Sequence, residues 1–393
     1  MRIARVNPLL MRHVHNTRIL KLLDERKYVA AIFCDLSRAF DSIDHSVLIQ
    51  KLYSYGVRGG FLDFLRSFLK DRIQVVSVDG GDTLSDRRRL SDCAVPQGSC
   101  IGNILFLVMV NDLIHLFKSG DFIMFADDGC AIVNGVTFKE LKINVLKTIE
   151  LLTRWFQANG LNMNLNKTNI IHFWLRGTYK MKLNITYDNI NIPQVDRVNF
   201  LGFYFDAGLK WNSHIDELMN KLAKACFALS RLAQTLTPES LRMAYYAYVN
   251  SLLAYGVDLW GQAAERNRVF IMQKRTVRVL ANISPLSSVR ESFKELKILT
   301  LPCVYILEVC KYMWHNLHGF EGSAASRRPF TLKSIPCRLS KTSRALPVVG
   351  VKIYNKLDNA IKDSISYEGF IGKVKAFLME RAYYNLDDFL NDK

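Results

Sequence analysis

Short apolar runs alternate with amphipathic stretches through the first half of the chain, whereas the second half is almost wholly helical in pattern. The run YVAAIFCD at 28–35 reads as a buried strand. Asp44 is placed to cap a helix carrying Leu48, Leu52 and Tyr55 that Gly56 stops, and a second helix is expected over 60–70. Residues 72–78 are β-rich, and Asp79-Gly80-Gly81-Asp82 supplies a hairpin turn. A helix is expected over 99–117. Two β-rich runs, 122–126 and 130–133, leave Asp127-Asp128-Gly129 at the turn between them. The pattern at 138–158 predicts a helix ending at Asn159-Gly160, and strands return at 169–174, 182–187 and 198–206. Beyond 212, helices are expected over 213–234, after Pro238, over 267–281 and over 302–318. Residues 319–346, rich in Ser, Arg, Gly and Pro, read as a mobile linker before a last helical piece at 351–384.

Composition narrows the class. The 393 residues are 49% hydrophobic and 23% charged, too apolar for a disordered chain and long enough for two or three domains. Lys and Arg number 53 against 36 Asp and Glu, and most of this +17 excess lies beyond Asp206. Such a surplus attracts polyanions, nucleic acid above all, although charge alone leaves a merely basic protein equally open. The densest apolar stretch, 104–110, is flanked by Asn103, Asn111 and Asp112, so no membrane span is expected. Residues 1–23 hold no acidic residue, a faint transit-peptide trait, but lack its serines, and no secretory signal is visible. Eight cysteines without C-x-x-C spacing fit reduced thiols and a cytoplasmic or nuclear setting. Cys303, Cys310, His315 and His318 have the wrong spacing for a zinc site and are expected as core residues.

Two acidic clusters stand where buried runs give way to turns. Asp35 ends VAAIFC, and Asp127 with Asp128 ends FIMFA. An ionised carboxylate beside such runs is costly unless compensated, and a divalent cation is the natural compensator. Two strand-end carboxylates brought together could hold two Mg2+ ions about 4 Å apart, the layout of phosphoryl transfer. Taken singly, Asp35 could be a cap and Asp-Asp-Gly an ordinary turn.

The order of the motifs decides between these. FCDLSRAFDSIDHSVLIQKL (33–52), VPQGSCIGNILFLVMVNDL (95–113), FADDGCAIV (125–133), WFQANGLNMNLNKTNIIHF (155–173) and VNFLGFYFDAGLKWNSHI (198–215) follow one another. The series resembles palm motifs A to E of the reverse transcriptases of non-LTR retrotransposons, most closely the jockey-like elements of arthropods. It spans about 28–215, and LRMAYYAYVNSLLAYGVDLWG (241–261) is similar to the family's region beyond the palm.

The resemblance implies an α+β fold: a polymerase palm, an antiparallel sheet with helices on one face, at 25–206. A thumb-like helical region at 207–318, the linker at 319–349 and a helical segment at 350–393 would follow, with 1–24 a residual fingers or N-terminal piece. It implies Asp35, the Leu36 carbonyl, Asp127 and Asp128 as ligands of two Mg2+ ions, with Mn2+ as a substitute. Phe40 would lie under the sugar and exclude a ribose 2′-OH, or else simply pack in the core. Gln97 and Gly98 would meet template and nucleotide, and Phe200, Leu201 and Gly202 would grip the primer. Lys167 matches the motif D lysine, a candidate proton donor to pyrophosphate, its alternative being a solvated surface lysine. Lys274, Arg275 and Arg278 are candidates for phosphate contacts, or for a solvated helix face. The implied partners are an RNA template, a DNA primer or target, and dNTPs.

Departures from the family pattern set the expected state. Complete members carry an endonuclease and full fingers before motif A; no matching segment precedes Asp35, so the chain is expected to be N-terminally truncated and its polymerase impaired. Ala94 stands where Gly is common, Asn103 where Pro is usual, and Gly129 where Thr or another small polar residue often follows the aspartates. The rival expectation is a non-catalytic nucleic-acid-binding remnant of a retrotransposon frame; a decayed product without function is a third.

Overall fold

The computed structural model describes residues 8–36, 39–71, 73–76, 85–89, 94–96, 98–118, 121–175, 181–320 and 331–392. The chain divides into two compact units: Met1–Arg18 with Arg26–Gly202, and Ile19–Glu25 with Phe203–Lys393. The boundary lies between Gly202 and Phe203. The segment expected as a separate N-terminal piece contains a helix, α1 (Pro8–Asp24), apportioned between the units.

The first unit is built on a four-stranded sheet in which Phe122–Phe125, Asp128–Gly135, Tyr28–Cys34 and Asn169–Phe173 lie side by side in that order, each neighbouring pair antiparallel. Its strands are β1 (Tyr28–Cys34), β4 (Phe122–Phe125), β5 (Asp128–Gly135) and β6 (Asn169–Phe173). β1 is central because it carries no polar side chain after Tyr28, and both neighbours can cover it. Its alternate residues Ala30, Ile32 and Cys34 enter one core with Leu48 of α2 (His45–Ser54) and Leu62 of α3 (Gly59–Leu69). Phe106 of α4 (Gly102–Val110) and Val145 and Ile149 of α5 (Phe138–Ala158) complete that core. The Asp44 cap on α2 forms as expected: its carboxylate accepts the Ser46 and Val47 N–H groups at 2.7 and 3.2 Å.

Several elements differ from the sequence pattern. The helix expected over 99–117 is α4 followed by a separate 3-10 turn at Leu113–Leu116. At the junction the Asp112 carboxylate accepts from Lys51 Nζ (2.7 Å), which also donates to the Met109 carbonyl (2.6 Å). β2 (Ile73–Val76) and β3 (Ser85–Arg89) pair antiparallel, while the 79–82 turn lies outside the described residues. β7 (Ile185–Tyr187) and β8 (Ile190–Ile192) form a hairpin through Asp188 and Asn189, both at positive φ, the geometry of a two-residue type I′ turn. The strand expected over 198–206 is two, β9 (Arg197–Phe200) and β10 (Phe203–Asp206), because Leu201 and Gly202 both adopt positive φ.

The second unit is helical beyond β10. Its helices are α6 (Asn212–Leu232), α7 (Pro238–Tyr245), α8 (Ser251–Ala254), α9 (Val257–Trp260), α10 (Arg266–Leu280) and α11 (Arg290–Glu295). α12 (Leu301–Asn316), α13 (Leu346–Lys356), α14 (Asn359–Lys362), α15 (Tyr367–Arg381) and α16 (Leu386–Asn391) follow. The helix expected at 351–384 is thus three pieces, the last begun by Ser366, whose hydroxyl accepts the Gly369 N–H. Residues 331–345, expected as mobile linker, are tied down. The Asn355 amide bonds both the N–H and the carbonyl of Leu332 (2.8 and 2.9 Å), and Arg338 bonds Asp24 and the Leu23 carbonyl. Polar composition marks a loop; only the tertiary partners show that it is held. Cys303 and Cys310 are core residues as expected, but His315 and His318 are exposed, because they lie past the last buried turn of α12. Among the described residues no helix is long and apolar enough to cross a membrane.

Candidate active site

β1 and β5 pair in a register that ends with Cys34 opposite Gly129, so Asp35 and Asp128, the next residue on each strand's side of that pair, come close enough to feel each other's charge. β4 returns with Phe125 opposite Asp128, so the turn consists of Ala126 and Asp127 alone, with Ala126 at φ 52°. The expected three-residue turn is therefore shorter. Asp128 opens β5 and Gly129 is a buried ladder residue, because pairing with β1 extends to the last residue that can face Cys34.

The electrostatics match this convergence. Partial burial, then the charges of Asp127 and Asp35, push the Asp128 carboxyl above its ordinary value. Burial pushes the Cys34 thiol up to about 12, with the negative charges of Asp128 and Asp35 adding to it. Three carboxylates thus share the end of β1 and the β4–β5 turn. A cation is already there: Lys167 Nζ lies 3.2 Å from Asp35 Oδ2, with the lysine side chain 69% exposed and the aspartate 29%.

Lys167 reaches Asp35 through a loop fastened to β1. Leu36, buried, bridges Met163 as an isolated antiparallel pair, and the Asn164 N–H donates to the Asp35 carbonyl (3.0 Å). Asn164 then accepts the Lys167 N–H on its side-chain oxygen (3.2 Å), and Thr168 donates N–H and hydroxyl to its carbonyl (2.9 and 2.8 Å). Sequence reasoning missed Asn164; an Asn three residues before the lysine is the signal of such a turn.

The loop before α4 meets the segment after β1 at Phe40. Its carbonyl accepts the Val95 N–H (2.9 Å), and its half-buried ring stacks on Phe106 with centroids 4.8 Å apart. The ring therefore packs on the core and keeps one part open. Gly98 is exposed at φ 81°, and Ser99 Oγ accepts the Gly102 N–H while donating to the Pro96 carbonyl, both at 2.9 Å. A β-carbon at Gly102 would lie 2.6 Å from that carbonyl, so the loop closes tightly over the start of α4. His45 Nε2, also missed from sequence, sits 2.7 Å from the Ala94 carbonyl. Gln97 lies outside the described residues. Phe200 is buried edge-on against Phe33 (5.3 Å), beside Cys34 on the opposite face of β1, which sets the Leu201-Gly202 turn near the same strand end.

The three basic residues of α10 differ from one another. Lys274 lies over the rings of Phe270 and Tyr384, and Arg278 Nε donates to the Ser287 carbonyl (3.0 Å). Arg275 is exposed, at the rim of a small groove of about 140 Å³ lined also by Phe227, Ser230 and Met272. The trio therefore does not form one open track, because two of its members are engaged within the unit.

Metal fit follows from the donors. Asp35, Asp127 and Asp128 offer the hard oxygens that Mg2+ prefers, and an ammonium already sits on one of them. Among the described residues, however, no three His, Cys, Asp or Glu side chains are closed into a ready-made metal-holding set.

The model of the family "Reverse transcriptase (RNA-dependent DNA polymerase)" matches residues 4–205. The probable RNA-directed DNA polymerase from transposon BS of Drosophila melanogaster is 26% identical over 289 residues, covering 69% of this chain and 31% of that protein. The RNA-directed DNA polymerase from mobile element jockey of the same fly is 22% identical over 291 residues, 71% of this chain and 31% of that protein. The chain thus spans about a third of the length of these curated relatives. A telomerase from Candida albicans, solved with a fragment of telomeric RNA, aligns over 74% of this chain and 54% of its own, at 12% identity and a TM-score of 0.41. The strand-end aspartates, the ordered motifs and the family match over half of the sequence agree: the chain belongs to the reverse transcriptase family, and its relatives include polymerases of non-LTR retrotransposons.

Proposed function

We propose that the first unit is the palm of an RNA-directed DNA polymerase that adds dNTPs to a primer 3′-OH by phosphoryl transfer. The observation that carries this reading is the convergence of Asp35, Asp127 and Asp128 at one strand end, set by the β1–β5 and β4–β5 registers. Asp35, the Leu36 carbonyl, Asp127 and Asp128 would hold two Mg2+ ions, or Mn2+ in their place. Bound there, such ions activate the attacking oxygen and stabilise the leaving one. Phe40 would set the floor under the sugar, held by its stack on Phe106 and its bond to Val95. Gln97 and Gly98 would meet template and nucleotide, and the Phe200-Leu201-Gly202 turn would steady the primer strand. Lys167, beside Asp35, would give a proton to departing pyrophosphate once it leaves that carboxylate. Arg275 is the member of the α10 trio best placed for a phosphate, in an interaction that would not read sequence.

A second reading, a non-catalytic nucleic-acid-binding protein, is favoured by one observation: the excess of 53 Lys and Arg over 36 Asp and Glu, which attracts a polyanion whether or not the aspartates hold metal. Primer extension on a poly(A)–oligo(dT) template with Mg2+ and labelled dTTP separates the two. Weak extension by the wild type, in keeping with an impaired polymerase, and none by the Asp127→Ala, Asp128→Ala double variant is the expected result. A folded protein that binds the duplex without extending it would establish the second reading instead.

A further inference from the structure

We propose that Lys167 is an internal counter-ion of the carboxylate cluster, seated on Asp35 until a divalent cation displaces it. The inference rests on the reading of Asp35 as a metal ligand. The Lys167–Asp35 pair, 3.2 Å between Nζ and Oδ2, is accessible, and such surface pairs are weak enough to exchange. Lys167 is the cation that the described residues pair with this cluster, so three carboxylates face one ammonium and the site stays net negative.

The backbone around Lys167 explains why displacement would not lose the residue. Its N–H is held by Asn164, and Asn164 is bonded to the Asp35 carbonyl, so the Lys167 Cα stays beside β1 whatever its side chain does. The four-carbon stem is free to swing its charge elsewhere. Metal loading and release of Lys167 are therefore one event: the divalent ion takes the seat, and the ammonium becomes available to an anion bound next to it. Without metal, the same ammonium keeps the carboxylates from repelling one another apart.

The test is metal affinity, not activity. Mg2+ binding is measured by calorimetry, and Mn2+ binding by electron paramagnetic resonance, at low salt on the full chain. Lys167→Ala is expected to bind either ion about three- to fivefold more tightly than the wild type, the scale of a surface ion pair. Lys167→Arg, which keeps the charge, is expected to stay near the wild type, and the gap between Ala and wild type is expected to shrink as salt rises. Equal or weaker binding by Lys167→Ala would overturn the counter-ion role while leaving the metal seat standing. Wild-type affinity in Asp35→Asn would overturn the seat itself, and the proposal with it. Because Lys167 is mostly exposed, thermal melting is expected to show both of its variants folded, and Asp35→Asn, which keeps the side chain's size, is checked in the same way.

Discussion

Gly129 stands opposite Cys34 in the β1–β5 ladder, and a β-carbon at 129 would lie 2.5 Å from the Cys34 sulfur. The glycine that departs from the family's usual residue after the paired aspartates thus has a packing reason. Cys34 fills the space that a side chain at 129 would take, one step from Asp35 and Asp128.

Gly129→Ala is expected to destabilise the first unit by about 1–3 kcal/mol, the usual cost of overpacking a tight core. Cys34→Ala added to it is expected to recover most of the loss. Urea unfolding of the four members of this cycle measures the coupling, and strictly additive losses would count against the pairing.

Asp128 predicts a pH dependence. Its folded carboxyl holds a proton more tightly than the unfolded chain, whose value is near 3.8, so this group's stabilising contribution is present below that value. It is lost as pH rises through the raised folded value, and at neutral pH the charge opposes folding. In EDTA, Asp128→Asn is therefore expected to melt above the wild type at pH 7, with the gap closing as pH falls towards 4. A gap that widens on acidification would contradict the sign.

His214 acts in the opposite direction in the second unit. Its ring stacks on Phe203 (4.9 Å) beside Trp211 and Trp260, and its Nδ1 has no hydrogen-bond partner. Burial, with the charge of Lys221, depresses it from 6.5 to about 4. The unfolded chain takes the proton first, so stability is full above 6.5 and falls by about 3 kcal/mol as pH drops towards 4. His214→Phe is expected to flatten that slope in a pH series of denaturant melts.

Gln273 is fully buried on α10 and uses its whole amide: Nε2 donates to Tyr245 Oη and the Leu299 carbonyl, both at 2.9 Å, and Oε1 accepts the Leu301 N–H (2.7 Å). It joins α7, α10 and the start of α12. Gln273→Leu leaves these buried partners unmet and is expected to cost about 2–4 kcal/mol. Thermal melting checks it, and a loss below about 1 kcal/mol would mean that the partners find substitutes.

The sequence alone determined what local periodicity can carry. β1, α5 and α6 lie within a residue or two of their expected bounds, since a seven-residue apolar run and a long amphipathic face each specify one local structure. The candidate aspartates were legible for the same reason, as charges that end apolar runs. Only the tertiary structure decided that Asp128 belongs to the ladder and Asp127 to the turn, because register is set by the partner strand. It alone brought Lys167 onto Asp35 and fastened 331–345, through contacts between residues far apart in sequence. The glycine at 129 shows the same division. Its identity is written in the chain, but its reason is the sulfur of Cys34 across the sheet, and no local pattern contains both.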